Sequence, residues 1–201
     1  MDEAPDSNAG YFYGRTLREY QSMFGLDLEA LRGKRVLDVA SGPASFAAEA
    51  ADLDIEVVCC DPRYALDPVE LRADGERGIE FTRLAYEHFP APLSKRFYTD
   101  IDDTIAHGQR ALDHFAADFE QHRNGRYIAA SLPEIPLPSR SFDLVLCANF
   151  LILYADISPG IGVPALDYPF HLSAVEELLR LARGPVRLRP SHGIFGEPHP
   201  Y

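Results

Sequence analysis

The chain lacks any apolar run approaching the roughly 18 residues that a membrane-spanning helix needs. It also lacks a leader pattern, because the opening MDEAPDSNAG is acidic and polar where a signal or transit peptide is basic and apolar. Cysteine is scarce: three residues, an odd number with two adjacent in an apolar run, argue against a disulfide framework and predict a reducing cytoplasm. There is no Cys-x-x-Cys pair, no serine nucleophile elbow and no Gly-Lys-Ser/Thr phosphate loop. The absence of G-x-G-x-x-G speaks against a nicotinamide-dependent oxidoreductase. Concentrated basic patches are missing too. The 19 Lys and Arg are scattered against 31 Asp and Glu, giving a net charge of −12, and the densest groups, Arg180 to Arg189 and Lys95-Arg96, are short. Such a surface repels nucleic-acid phosphates, so neither nucleic acid nor membrane is an expected partner, and its acidity reads as solubility.

What is present is enough apolar sequence for a core. At 201 residues and 46% hydrophobic, one globular domain is the expectation. The organising stretch is Lys34 to Asp61, KRVLDVASGPASFAAEAADLDIEVVCCD. Val36 to Val39 reads as a buried strand, Ser41-Gly42-Pro43 as a tight turn, Ala44 to Ala51 as a helix and Ile55 to Cys60 as a second buried strand. Near-continuous apolar runs of this kind suit a parallel sheet covered on both faces. Gly42 lets backbone approach a ligand, Pro43 fits a helix start, and the free N–H groups there favour an electron-rich group. An acid about 20 residues beyond the glycine completes the layout of a nucleotide-binding half-fold.

V-L-D-V-A-S-G-P-A-S resembles motif I of the class I S-adenosylmethionine (SAM)-dependent methyltransferases, and S-L-P-E-I-P-L-P-S-R-S-F-D-L-V resembles that family's proline-rich loop leading into strand four. The resemblance implies a Rossmann-like α/β three-layer sandwich with sheet order 3-2-1-4-5, SAM as cofactor, and methyl transfer to a small-molecule acceptor. By position, Asp38 matches the motif I acid and Gly42 the central glycine, with Ala40, Ser41 and Gly42 holding the methionine end. Asp61, followed by Pro62, matches the acid that binds the ribose. Ser131 and Leu132 match the residues beside the adenine, and Asn149 follows strand four where the transferred methyl points. Of the glycines usual at positions 40, 42 and 44, only Gly42 is present; alanine is tolerable at the other two where φ is negative, and it narrows the cleft. A non-catalytic SAM- or nucleoside-binding domain is the second reading.

Around this core the remaining elements follow in order. Residues 1–10 read as disordered. Tyr11-Phe12-Tyr13 precede a helix, Thr16 to Phe24, whose aromatic face either packs on the domain or forms a lid carrying a tyrosine to the pocket. Helical spacing recurs over Pro68–Asp74, Glu76–Glu87 and Asp103–Gln121, so residues 76–122 form a helical insertion that packs on the sheet or caps the substrate pocket. Arg126–Ala130 reads as strand three and Ser141–Ala148 as strand four. The loop 155–166 borders the site. Asp167 caps a further helix with Phe170, Leu172, Val175, Leu178, Leu179 and Ala182 on its buried face, stopped by Gly184. Val186–Arg189 reads as strand five, and residues 191–201 as an irregular tail too short for the family's C-terminal antiparallel hairpin. Strand five is then an open edge, a place for homodimer pairing, carrying residue types that protect edges. No side chain stands out as a general base. His88, His107 and His114 read as insertion surface or packing, His192 and His199 as weak grounds for a metal, and Cys59, Cys60 and Cys147 as small core residues.

Overall fold

The computed structural model of the chain describes residues 12–88, 97–153, 155 and 166–191. Its centre is the pair of strands flanking the glycine turn. β1 (Arg35–Val39) and β2 (Glu56–Cys60) run parallel with Val36 opposite Val57 and Val39 opposite Cys60. β3 (Tyr127–Ile128) adds beyond β2, while β4 (Leu144–Ala148) pairs with the other side of β1 and carries β5 (Val186–Arg189). Every pairing is parallel and the order is β3-β2-β1-β4-β5, the Rossmann-like α/β sheet that the sequence predicts.

Strand alternation divides the core into two layers. Val36, Val57, Cys59, Leu144 and Leu146 face one side. Leu37, Val39, Val58, Cys60, Val145 and Cys147 face the other. On the second side lies α5 (Tyr168–Leu181), whose Ala174, Leu178 and Leu181 are fully buried. The first side is covered by α1 (Leu17–Phe24), α2 (Phe46–Ala51) and α4 (Ile101–Arg126), with α3 (Pro68–His88) packed on α4. Cys59, Cys60 and Cys147 are free and buried, as core residues. No described helix is long and apolar enough to cross a membrane.

Local chemistry explains the boundaries. Thr16 and Glu19 form a reciprocal capping box, and Gly25, at φ +61°, ends α1 in the left-handed conformation that glycine adopts without penalty. The side chain of Asp167 caps α5 through the Phe170 N–H at 3.0 Å. α4 supplies Leu112, Phe115 and Phe119 to the same cluster as Tyr64 and Tyr127, so the predicted insertion is part of the layer covering β2 and β3.

Several predicted spans change. Pro68–Asp74 and Glu76–Glu87 are one helix, because Gly75 and Gly78 do not break it; they make room for Leu112 and for the Phe12 backbone. Strand three contracts to Tyr127–Ile128 and strand four to Leu144–Ala148. The helix after the turn begins at Phe46, so Pro43 belongs to the turn. The α5 prediction mis-phased its face: Leu172 and Leu179 are 49% and 58% exposed. Leucines at 172, 178, 179 and 181 allow two helical faces, and the small Ala174 marks the one that reaches the sheet. α5 ends at Leu181, ahead of Gly184. Arg187 is not simply an edge guard, since its guanidinium donates to the Phe24 carbonyl at 2.8 Å and closes the end of α1. Residues 1–10 and the tail beyond Ser191, for which the sequence predicts disorder and an irregular tail, lie outside the described residues, as do Tyr11, His192, His199 and most of the loop 155–166.

The approach of the N-terminal segment to α3 gives a test. A Cβ on Gly78 would stand 2.1 Å from the Phe12 carbonyl oxygen, an overlap with backbone. Gly78→Ala should therefore lower stability in urea by about 1–3 kcal/mol, outweighing the roughly 1 kcal/mol that alanine gains inside a helix. A stabilised variant would place Phe12 away from α3.

Candidate functional site

The carboxyl ends of β1 and β2 converge on one hydrogen-bonded turn. After β1, Ala40 and Gly42 both have φ +54°. Glycine takes this region freely, but an alanine there costs about 1–2 kcal/mol. The sequence condition for alanine, a negative φ, thus fails at Ala40. Ser41 donates its N–H to the Cys60 carbonyl at 3.2 Å, tying the turn to β2. The Gly42 N–H donates to Asp61 Oδ2 at 3.0 Å, and Asp61 Oδ1 accepts the Arg63 N–H at 3.0 Å. Asp61 also caps the 3-10 turn Pro62–Ala65, which starts with the exposed Pro62 and holds Tyr64.

Tyr64 was not foreseen. Its hydroxyl lies 2.6 Å from the Gly42 carbonyl and 2.8 Å from Ser41 Oγ, so it holds the turn from the opposite side to Asp61. The ring is 4% exposed and packs on Phe115 and Tyr127. Its only sequence signal is an aromatic three residues beyond the acid, where a 3-10 turn points it back. The sequence marks Phe12 only as one of an aromatic cluster. Its ring lies 3.7 Å from the Cβ direction of Gly42, and the Arg63 guanidinium stands 5.1 Å above it. Gly14 packs on the Pro43 carbonyl and Ser45 donates its N–H to the Arg15 carbonyl. The N-terminal segment therefore lies across the turn.

Asp38 is fully buried on the same sheet face as Tyr20 and Phe46. Its Oδ2 accepts the Tyr20 hydroxyl at 2.8 Å, and Oδ1 has no partner among the described residues. A sealed acceptor of this kind costs about 1–3 kcal/mol. Burial pushes the Asp38 carboxyl up to about 8; the Tyr20 hydrogen bond opposes the shift and the charge of Asp61 adds to it. Burial also raises Asp61, against the hydrogen bonds from Arg63 and Gly42.

The remaining predicted residues lie around this centre. Asp61 donates its N–H to the Ile128 carbonyl of β3 at 3.1 Å, which leads to the groove holding Ser131 and Leu132. That groove, about 760 Å³, is lined by residues 129–136 together with Glu177 and Arg180. Ser131 is exposed and Leu132 is 7% exposed. Asn149 has φ +55°, a conformation its residue type tolerates, and its N–H is bonded to the Arg189 carbonyl at 2.6 Å. The structure thus brings Asp38, Ser41, Gly42 and Asp61 together, places Ser131 and Leu132 in the adjoining groove, and sets Asn149 at the end of β4.

Among the described residues the histidines supply no base at this centre. His114 is exposed and His107 packs against Phe97 and Tyr98. His171 was not singled out by the sequence; it is buried with its ring nitrogens 2.9 and 2.7 Å from the Asp167 and Leu151 carbonyls. Among the described residues no cluster of His, Cys, Asp and Glu could hold a metal ion.

The buried Asp38 sets a pH dependence. Its folded-state value near 8 exceeds its ordinary value of 3.8, so its contribution is complete below about pH 4 and is lost as pH rises towards 8. Against Asp38→Asn, which has no proton to lose, wild-type stability should fall by about 1.4 kcal/mol per pH unit between about pH 5 and 7. Urea denaturation of both proteins measures the difference. A difference constant with pH would mean that Asp38 is ionised in the folded protein.

No family model matches the chain. It is similar to an uncharacterized protein of Methanocaldococcus jannaschii, MJ0045, with 29% identity over 188 residues that span 92% of this chain and 79% of that protein.

Proposed function

We propose that the protein is a SAM-dependent methyltransferase acting on a small-molecule acceptor. The observation that carries this reading is the meeting of Gly42 and Asp61 at the carboxyl ends of β1 and β2. In an open parallel sheet a ligand binds where the strand order reverses, and here that point lies between β1 and β4, beside the turn.

The residues present fit the cofactor. Each Asp61 oxygen holds one backbone N–H, and a carboxylate has about four lone-pair sites, so capacity remains for two ribose hydroxyls. The unpartnered oxygen of Asp38 suits a donor from the amino-acid end. Ser131 and Leu132 would flank the adenine, and Asn149 would stand towards the acceptor. When bound, SAM supplies an activated methyl on a sulfonium to a nucleophile. The chain's part is to align the reactants and exclude water, which the buried Phe12 and Tyr64 do at the turn. The same geometry also serves a domain that binds SAM or a nucleoside without transfer.

Calorimetry with SAM, S-adenosylhomocysteine and NAD tests the cofactor. Binding of the first two and not the third is expected; no SAM binding at millimolar concentration rejects both the transferase and the binding-domain readings. Release of S-adenosylhomocysteine from SAM across a panel of acceptors then separates those two. Asp61→Ala should weaken SAM binding by about 1.5–3 kcal/mol, the worth of hydrogen bonds to a charged group; unchanged affinity would remove Asp61 from the ribose.

A further inference from the structure

The turn on which the proposed function relies is covered by the protein itself. Residues 41–47 are all buried, and Asp61 is 9% exposed. On the Gly42 side the cover is the segment Phe12–Arg15. The Phe12 ring, 3% exposed, packs against the side of Gly42 that has no Cβ, 3.7 Å from where one would stand. Gly14 lies so close to Pro43 that a Cβ there would stand 2.0 Å from the carbonyl oxygen. The Ser45 N–H donates to the Arg15 carbonyl at 3.1 Å. A glycine that lets a ligand approach thus receives an aromatic ring of the same chain. The other anchors of the segment lie on the helical insertion. Phe12 meets the Phe115 ring edge-on at 6.3 Å, the Tyr13 hydroxyl donates to the Thr104 carbonyl at 2.7 Å, and Arg15 donates to the Tyr98 hydroxyl at 2.9 Å. The nearest atoms to a Cβ on Gly78 of α3 all belong to Phe12, and to a Cβ on Gly108 of α4 all belong to Tyr13. A glycine inside a helix costs about 1 kcal/mol relative to alanine. Two such positions shaped to one segment make a seat for it.

We propose that Phe12–Arg15 is an autoinhibitory strap: it competes with SAM for the face of the Gly42–Asp61 turn, and the ligand enters only when the strap leaves its seat on α3 and α4. This rests on the SAM reading and adds to it the regulation of that same site. The ring that keeps water off the turn in this conformation also keeps the ligand off it. The apparent affinity is then the intrinsic affinity multiplied by the fraction of molecules whose strap is released. Loosening the strap therefore strengthens binding. A lid that closed over bound ligand would give the opposite sign, because its contacts would be lost from the complex.

The test is calorimetry with SAM on the wild type and two variants of the whole chain. Phe12→Ala takes the ring off Gly42, and Gly78→Ala pushes the strap off α3 without altering the strap itself. Each should bind SAM about tenfold more tightly than the wild type, the gain expected when the released fraction rises from about a tenth or less towards one. Both variants also lose packing, and a merely structural role for the segment would leave affinity unchanged or lower it. A second measurement needs no variant. Trypsin cleavage after Arg15 of the wild type, followed by fragment mass, should be faster at saturating SAM, because cleavage tracks the population of the released form. Affinity unchanged or weakened in a folded variant, or cleavage after Arg15 not accelerated by SAM, overturns the strap. SAM binding to none of the three proteins at millimolar concentration is a separate result, and it removes the cofactor reading and this inference together.

Discussion

The hydrogen bond from the Gly42 N–H to Asp61 joins the two halves of the nucleotide-binding layout into one site. Without it, the turn after β1 would still be tied to β2 through Ser41 and to Tyr64, but the Asp61 carboxylate itself would have no fixed relation to the turn. With it, the left-handed turn, the 3-10 turn at Pro62–Ala65 and the end of β3 share one framework, because Asp61 also accepts the Arg63 N–H and donates its own N–H to Ile128. Tyr64 locks the other side of Gly42 and roots the turn in the aromatic cluster of α4. The helical insertion is therefore coupled to the site through packing.

The site is also electrostatically unbalanced. Two acids, Asp38 and Asp61, lie buried within one layer, and burial raises both. Asp61 is compensated by backbone donors, which favour its charged form. Asp38 has one phenolic donor and one unpartnered oxygen. A fold that retains such an acceptor, and an alanine at φ +54° two residues later, gives up stability at its candidate binding site. That is the pattern expected where a ligand supplies the missing partner.

The sheet was legible in the sequence because buried parallel strands read as short apolar runs: V-L-D-V, V-V-C-C and L-V-L-C each became a strand, in the expected order. The acid and glycine were legible by their separation across the crossover helix. What failed depended on long-range geometry. The strand at Tyr127–Ile128 is set by the β2 edge it meets, and the buried side of α5 by which small residue reaches the sheet. The φ of Ala40 follows from the closure of the turn onto Asp61. The bonds of Tyr20 to Asp38 and Tyr64 to Gly42 span 18 and 22 residues, and no local pattern names those partners.

The central claim is that the Gly42–Asp61 turn is the ligand site. It is tested most directly by following backbone amide resonances of isotope-labelled protein as SAM is added. The Gly42 and Arg63 amides, which both donate to Asp61, should shift saturably, while Arg35 and Glu56 at the opposite ends of the same strands stay in place. Unchanged Gly42 and Arg63 resonances at saturating SAM, or shifts confined to the far end of the sheet, would contradict the account.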